Sequence, residues 1–174
     1  MTKKIPVLIA CAILCMIRIP LKGAELSDVF GYWKTVDTRK NITTSVIGIY
    51  EYNGQMYGRS VIGYDEKSGH LIDTIYRPIQ RVEKLKGKPH IHTIDIVWGL
   101  TRDGDKWRGG KILDPRYGTI FDCEAWVEDN ILIIRGKLGP FGVNSAFYKI
   151  EDTDLPLGFV LPNLATFVTN IPIK

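Results

Sequence analysis

From residue 30 onward, apolar side chains recur at every second position, and short dipeptides rich in Gly, Asn, Asp and Pro interrupt them. Period two is the repeat of a strand with one buried face; a core-facing helix needs 3.6. The pattern predicts eight strands, at Phe30–Asp37, Thr44–Tyr52, Gln55–Tyr64, His92–Arg102, Lys106–Leu113, Thr119–Glu128, Ile131–Leu138 and Asn144–Ile150. Asn53-Gly54 suits a tight hairpin because both residues tolerate positive φ. Asp103-Gly104-Asp105, Asp114-Pro115-Arg116-Tyr117-Gly118 and Asp129-Asn130 mark further turns, with Pro presetting φ and Gly closing the turn. Strands joined in sequence by hairpins form a meander. Eight of them can close an antiparallel up-and-down barrel, which removes both sheet edges. The alternative is a two-sheet sandwich, whose connections are longer and cross over; the short sequential turns favour the barrel.

Ahead of the strands, Met1-Thr2-Lys3-Lys4 is a short basic start, and the thirteen residues Ile5–Ile17 carry no charge. A membrane-spanning helix needs about 20 apolar residues, so residues 1–24 read as a cleavable signal peptide cut after Ala24. Lys22 departs from the small-residue rule at such sites, which keeps an uncleaved membrane anchor as the minor alternative. Leu8-Ile9-Ala10-Cys11 also resembles a lipidation box, but the apolar run continues past Cys11 and few residues precede it. The expected destination is the periplasm or the medium. Four of the 23 Lys and Arg residues (Lys3, Lys4, Arg18 and Lys22) lie in this leader and none of the 19 acids does, so cleavage leaves 19 of each sign. That balance removes the electrostatic case for nucleic acid. Cys11 and Cys15 leave with the leader, and Cys123 alone cannot form an intramolecular disulfide.

Two segments fall outside the strand pattern. The long connection 65–91, between the third and fourth expected strands, holds Arg77, Arg81, Lys84, Lys86 and Lys88 and ends in Lys86-Gly87-Lys88-Pro89. Long loops of this kind are functional or mobile. The tail 151–174 contains Leu157, Phe159, Val160, Leu161 and Phe167 among its prolines. It is too apolar to be a solvated tail, and is expected to pack on the outside of the domain spanning 25–150 or to cap one end.

Gly31-Tyr32-Trp33 at the start of the first strand resembles the signature of lipocalins and their relatives, in which the Trp closes the barrel floor beneath a cationic side chain from the last strand. Lys149 is the matching cation here. Over 31–150 the chain resembles the bacterial family catalogued as domain of unknown function 2147. The matching stretches are Gly31-Tyr32-Trp33-Lys34-Thr35, Ile49-Tyr50-Glu51, Asn53 to Gly58, Lys86 to Pro89, Gly109 to Gly118, Ile134-Arg135-Gly136, Gly139 to Gly142 and Phe147-Tyr148-Lys149. The resemblance implies an exported, lipocalin-like domain with no established activity. Family members often carry Cys in the long loop, which has none here; their final Trp-Tyr-Arg reads Phe147-Tyr148-Lys149; and the tail after Ile150 has no counterpart.

No Ser sits in a nucleophile elbow and no Gly-rich loop leads into a helix, so no catalytic residue is assigned. His90 and His92 lie two apart, but a metal site needs three or four ligands. They read as exposed residues at a loop-to-strand junction, and no metal or cofactor is expected. In the sixth expected strand Phe121, Cys123, Ala125 and Val127 share one face, which points Cys123 inward. There it is a small buried hydrophobe or, in the other reading, a redox or ligand-contacting thiol. An eight-stranded barrel can hold one small ligand, so the expected function is a binding module for a hydrophobic ligand of the lipid or fatty-acid class. Trp33, Tyr50, Trp98, Phe121 and Phe147 would line the interior. The long loop would cover the mouth, with Arg77, Arg81 and Lys84 meeting an anionic headgroup. The alternative is an envelope structural or interaction protein with a filled barrel and a protein partner. Export makes a direct prediction: N-terminal sequencing of protein from a native-type host should begin near Glu25. A folded protein starting at Met1 or Thr2 would refute cleavage, and a Cys11 start would establish the lipidated form.

Overall fold

The computed structural model describes residues 29–173; the leader expected over 1–24 lies outside the described residues. Nine strands follow in order: β1 (Gly31–Asp37), β2 (Ile42–Tyr52), β3 (Gln55–Tyr64), β4 (Leu71–Thr74), β5 (Asp95–Asp103), β6 (Lys106–Asp114), β7 (Thr119–Glu128), β8 (Ile131–Leu138) and β9 (Phe141–Lys149). Eight of them pair antiparallel in the ring β1-β2-β3-β5-β6-β7-β8-β9, and β9 returns to β1 to close it. Asn53 and Gly54 take φ of 50° and 75°, and Asp129 and Asn130 take 50° and 62°. These positive values make the two-residue turns follow the twist of the strands they join.

The short β4 lies inside the connection read from sequence as loop. It pairs with β3 through Ile62↔Thr74 and Gly63↔Asp73, above the point where β5 begins at Asp95 opposite Arg59. It therefore continues the barrel wall where β5 is absent. The last strand also begins earlier than the alternation suggested, at Phe141 instead of Asn144.

One end of the barrel, the floor, carries the start of β1, the β2–β3, β5–β6 and β7–β8 hairpins and the end of β9. Trp33 is wholly buried there. Its indole Nε1 donates to the Val29 carbonyl at 2.8 Å, and Lys149 Nζ stands 3.7 Å from the ring centroid. Around and above it, Ile47, Ile49, Met56, Val97, Leu100, Ala125, Leu132, Ile134 and Phe147 fill the interior as one cluster. Packing is close enough that a Cβ on Gly58 would come within 2.8 Å of Ile49 and 3.2 Å of Val97.

The outer wall is covered in two places. Residues 150–173 run across β1, β2 and β3: Lys34 pairs with Asp154 at 2.7 Å, Tyr32 donates to the Pro162 carbonyl, and Phe167 meets Tyr50 edge-on. On the other side Val82 and Leu85 pack with Leu113, Trp98 and Ile120.

The floor is directly testable. Trp33→Ala should lower the unfolding free energy by roughly 3–5 kcal/mol, as for other buried aromatics. Lys149→Ala should cost about 0.5–2 kcal/mol for the lost cation–π contact. Denaturant melts read both, and a Trp33→Ala loss under about 1 kcal/mol would contradict its place in the floor.

Candidate functional site

The lumen changes character above the floor cluster. Register places Leu132, Ile134, Gly136 and Leu138 on one face of β8, opposite Phe147, Ser145, Val143 and Phe141 of β9. Since Leu132, Ile134 and Phe147 are buried in the interior, the rest of this row faces the lumen too. Yet Leu138, Phe141 and Val143 are 71%, 79% and 76% exposed. Phe121 on β7 is half-buried on the same inner face, with Gly136 beside it. The mouth half of the lumen thus has an uncovered apolar wall.

The wall is also incomplete sideways. β9 meets β1 through Trp33↔Lys149 and Lys34↔Tyr148 alone, and Asn144, Ser145 and Ala146 are exposed. A cavity of about 420 Å³ lies along this seam, lined by Lys34, Val36, Thr38, Asn41, Tyr148, Lys149 and Glu151.

The opposite side of the mouth half is polar. Thr35, Ser45 and Gly63 continue the inner face from Trp33 and Ile47, and Asp73 of β4 stands opposite Gly63. The Asp73 side chain is fully enclosed. Its Oδ2 accepts from the Ile79 and Gln80 amides at 3.1 and 2.8 Å. Its Oδ1 accepts from Gln80 Nε2 at 2.8 Å and lies 2.9 Å from His92 Nε2, also fully enclosed. Burial pushes this carboxyl upward, but the donors from Gln80, His92 and Ile79 outweigh it and hold it below the ordinary carboxylate range.

The expected site residues separate accordingly. Trp33 and Phe147 belong to the packed interior, and Phe121 faces the open half. Tyr50 and Trp98 require correction, because both lie on the outer face. Tyr50 follows the inward Ile49 and donates to Asp95 Oδ1 at 2.7 Å beneath the tail. Trp98 pairs with Lys111 on the outer wall under Val82 and Leu85. Both outer faces are covered, so both phases of these strands are apolar and alternation cannot tell them apart.

The long connection begins at the mouth end, but Val82 and Leu85 strap it to the outer wall, which corrects its reading as a lid. Arg77, Arg81 and Lys84 are exposed there. Arg81 donates to the Lys88 carbonyl at 2.8 Å, and Lys84 backs onto Gly118 in the β6–β7 turn. His92 is corrected from exposed to buried; its partner Asp73 sits on a four-residue strand with no periodic signal. Cys123 faces inward, 1% exposed, and burial pushes its thiol up to about 12, keeping it protonated at neutral pH. Among the described residues no three His, Cys, Asp or Glu side chains gather as metal ligands.

A closed eight-stranded antiparallel barrel with a Trp-sealed floor and an open far end is a lipocalin-like domain. Residues 31–149 match the family described as "Uncharacterized protein conserved in bacteria (DUF2147)", and the chain belongs to that family. Its fold is similar to that of protein HP1028 from the human pathogen Helicobacter pylori, described as belonging to the lipocalin family. The TM-score is 0.52 at 16% identity, covering 71% of this chain and 84% of that one. No curated protein matches the chain in sequence.

The lowered Asp73 carboxyl has a signed consequence. Its contribution to stability is complete above the unfolded value of about 3.9 and is lost as pH falls through the folded value. Unfolding free energy measured from pH 7 to pH 2 should therefore fall more steeply below about pH 4 for the unmodified protein than for Asp73→Asn. Parallel curves would show that Asp73 is not held ionised by the fold.

Proposed function

We propose that this protein is an exported binding module that holds a hydrophobic ligand of the lipid class in the mouth half of its barrel. The observation that carries the reading is the row Leu138, Phe141 and Val143, which faces the lumen yet stands 71–79% exposed. Contiguous apolar surface left in water marks a place where something apolar binds. The filled floor cluster restricts that ligand to the upper half, where Phe121 extends the apolar wall. Export rests on the leader.

A second reading has an observation of its own. The lower interior is packed with the protein's own side chains, as expected of an envelope interaction protein whose apolar rim meets a protein partner. Titration separates the two. Decanoic acid and decan-1-ol should each bind saturably, and native mass spectrometry of protein from a native-type host should find a retained lipid. Phe141→Ser with Val143→Ser should weaken binding about tenfold or more by removing apolar contact. Replacing Arg77, Arg81 and Lys84 together by Ala should leave both affinities unchanged, because these cations lie outside the lumen. Absence of saturable binding together with a lipid-free mass spectrum would favour the partner-docking reading.

A further inference from the structure

The barrel is electrically polarised along its axis. Its three floor hairpins carry exposed Glu51, Asp103, Asp105, Glu128 and Asp129 against exposed Arg102. The mouth, at the other end, is ringed by the β1–β2, β3–β4, β6–β7 and β8–β9 turns. The first three each hold an aspartate that folds back on its own turn. Asp37 accepts from the Arg39 amide, Asp65 from the Lys67 and Ser68 amides, and Asp114 from the Arg116 amide, at 2.7–3.0 Å. These acids are half-buried, whereas Arg39, Lys40, Lys67 and Arg116 on the same turns are exposed. Exposed Lys84 joins them, since it backs onto Gly118. Against these cations the turns expose Glu66, 3.9 Å from Arg116. The fourth turn, Gly139-Pro140, carries no charge and projects Leu138 and Phe141, while Tyr117 on the β6–β7 turn is 72% exposed. The ring order β6-β7-β8-β9-β1-β2 sets this apolar tip between the cationic β6–β7 and β1–β2 turns.

We propose that the mouth rim docks on the surface of an anionic phospholipid bilayer. Leu138, Phe141 and Tyr117 enter the headgroup layer, and Arg39, Lys40, Lys84 and Arg116 lie against the phosphates. Charge complementarity selects this occupant. Cations outward at the rim and acids at the floor turn the barrel mouth-first toward a negative surface potential. The apolar groups agree with it. They stand on protruding turns, where a yielding lipid layer receives them without a shaped pocket, and the tyrosine ring suits a membrane–water boundary. The inference needs no ligand in the lumen and stands apart from the ligand-binding reading.

Protein purified from a native-type host is sedimented with vesicles of phosphatidylcholine alone and of equal parts phosphatidylglycerol and phosphatidylcholine. It should bind the mixed vesicles about tenfold more tightly, and added salt should remove the difference. Arg39→Gln with Arg116→Gln should weaken binding to the mixed vesicles about tenfold. Arg102→Gln with Lys111→Gln makes the same change in charge away from the rim and should leave binding unchanged. Lipids brominated in their acyl chains should quench the fluorescence of Tyr117→Trp more than that of the unmodified protein, which has four Trp residues. All the substituted side chains are exposed, so the fold is not at issue. Equal binding to both vesicles, equal losses in the two charge variants, or no added quenching would overturn rim docking. Absence of vesicle binding would overturn it too. A dimer broken by Phe141→Ser would then assign the rim to a second copy, and a monomer would assign it to an acidic protein face. Decan-1-ol binding is measured separately, so either reading can fail without the other.

Discussion

The contact between the Trp33 indole and the Lys149 ammonium, 3.7 Å from the ring centroid, holds together the first and last strands of the barrel. A meander closes only where its ends meet, and here they meet through two residue pairs. Without that junction β1 and β9 would be sheet edges, with unpaired amides and carbonyls open to association. The indole adds apolar burial to the short ladder, and its Nε1 bond to Val29 fixes the approach to β1. The interior cluster above it, from Ile47 to Phe147, depends on this closure for its enclosure.

Coverage of the outer wall explains why so small a domain carries two long irregular segments. The Asp95 carboxylate shows how the tail is fastened. Its Oδ1 accepts from Tyr50 and Arg59, and its Oδ2 from the Asn170 amide at 2.6 Å. A charge with no exposure is tolerated because its oxygens are engaged and Arg59 lies 2.8 Å away. With the tail on one side and Val82 and Leu85 on the other, much of the wall is sandwiched. Leu138, Phe141 and Val143, open on the lumen side, belong to the β8–β9 hairpin rather than to the covered wall.

The sequence made most of the barrel legible because alternation and turn chemistry are local. Asn53-Gly54 and Asp129-Asn130 announced their hairpins, and the Gly31-Tyr32-Trp33 step with Lys149 announced the floor. The misplacements have physical causes. Register shifts at Val46/Ile47 in β2–β3 and at Gly58/Arg59 in β3–β5 break the strict phase along these strands, and covered outer faces make Tyr50 and Trp98 look like lumen residues. The Asp73–His92 pair joins two positions nineteen apart across a connection without periodicity. Only the pairing of β4 with β3 brings them together, and no local pattern encodes it.

The two-rung seam also has a mechanical consequence. A closed ring under internal pressure yields where the fewest bonds must break, and that place is set by β1 and β9 rather than by the long ladders elsewhere. Opening there would unzip a short stretch while the β2–β3 and β7–β8 ladders stay intact. Such a local opening costs far less than global unfolding. The barrel is in this sense a split ring: it would part first along the line between β1 and β9, and the Trp33–Lys149 contact in the floor is what resists that parting.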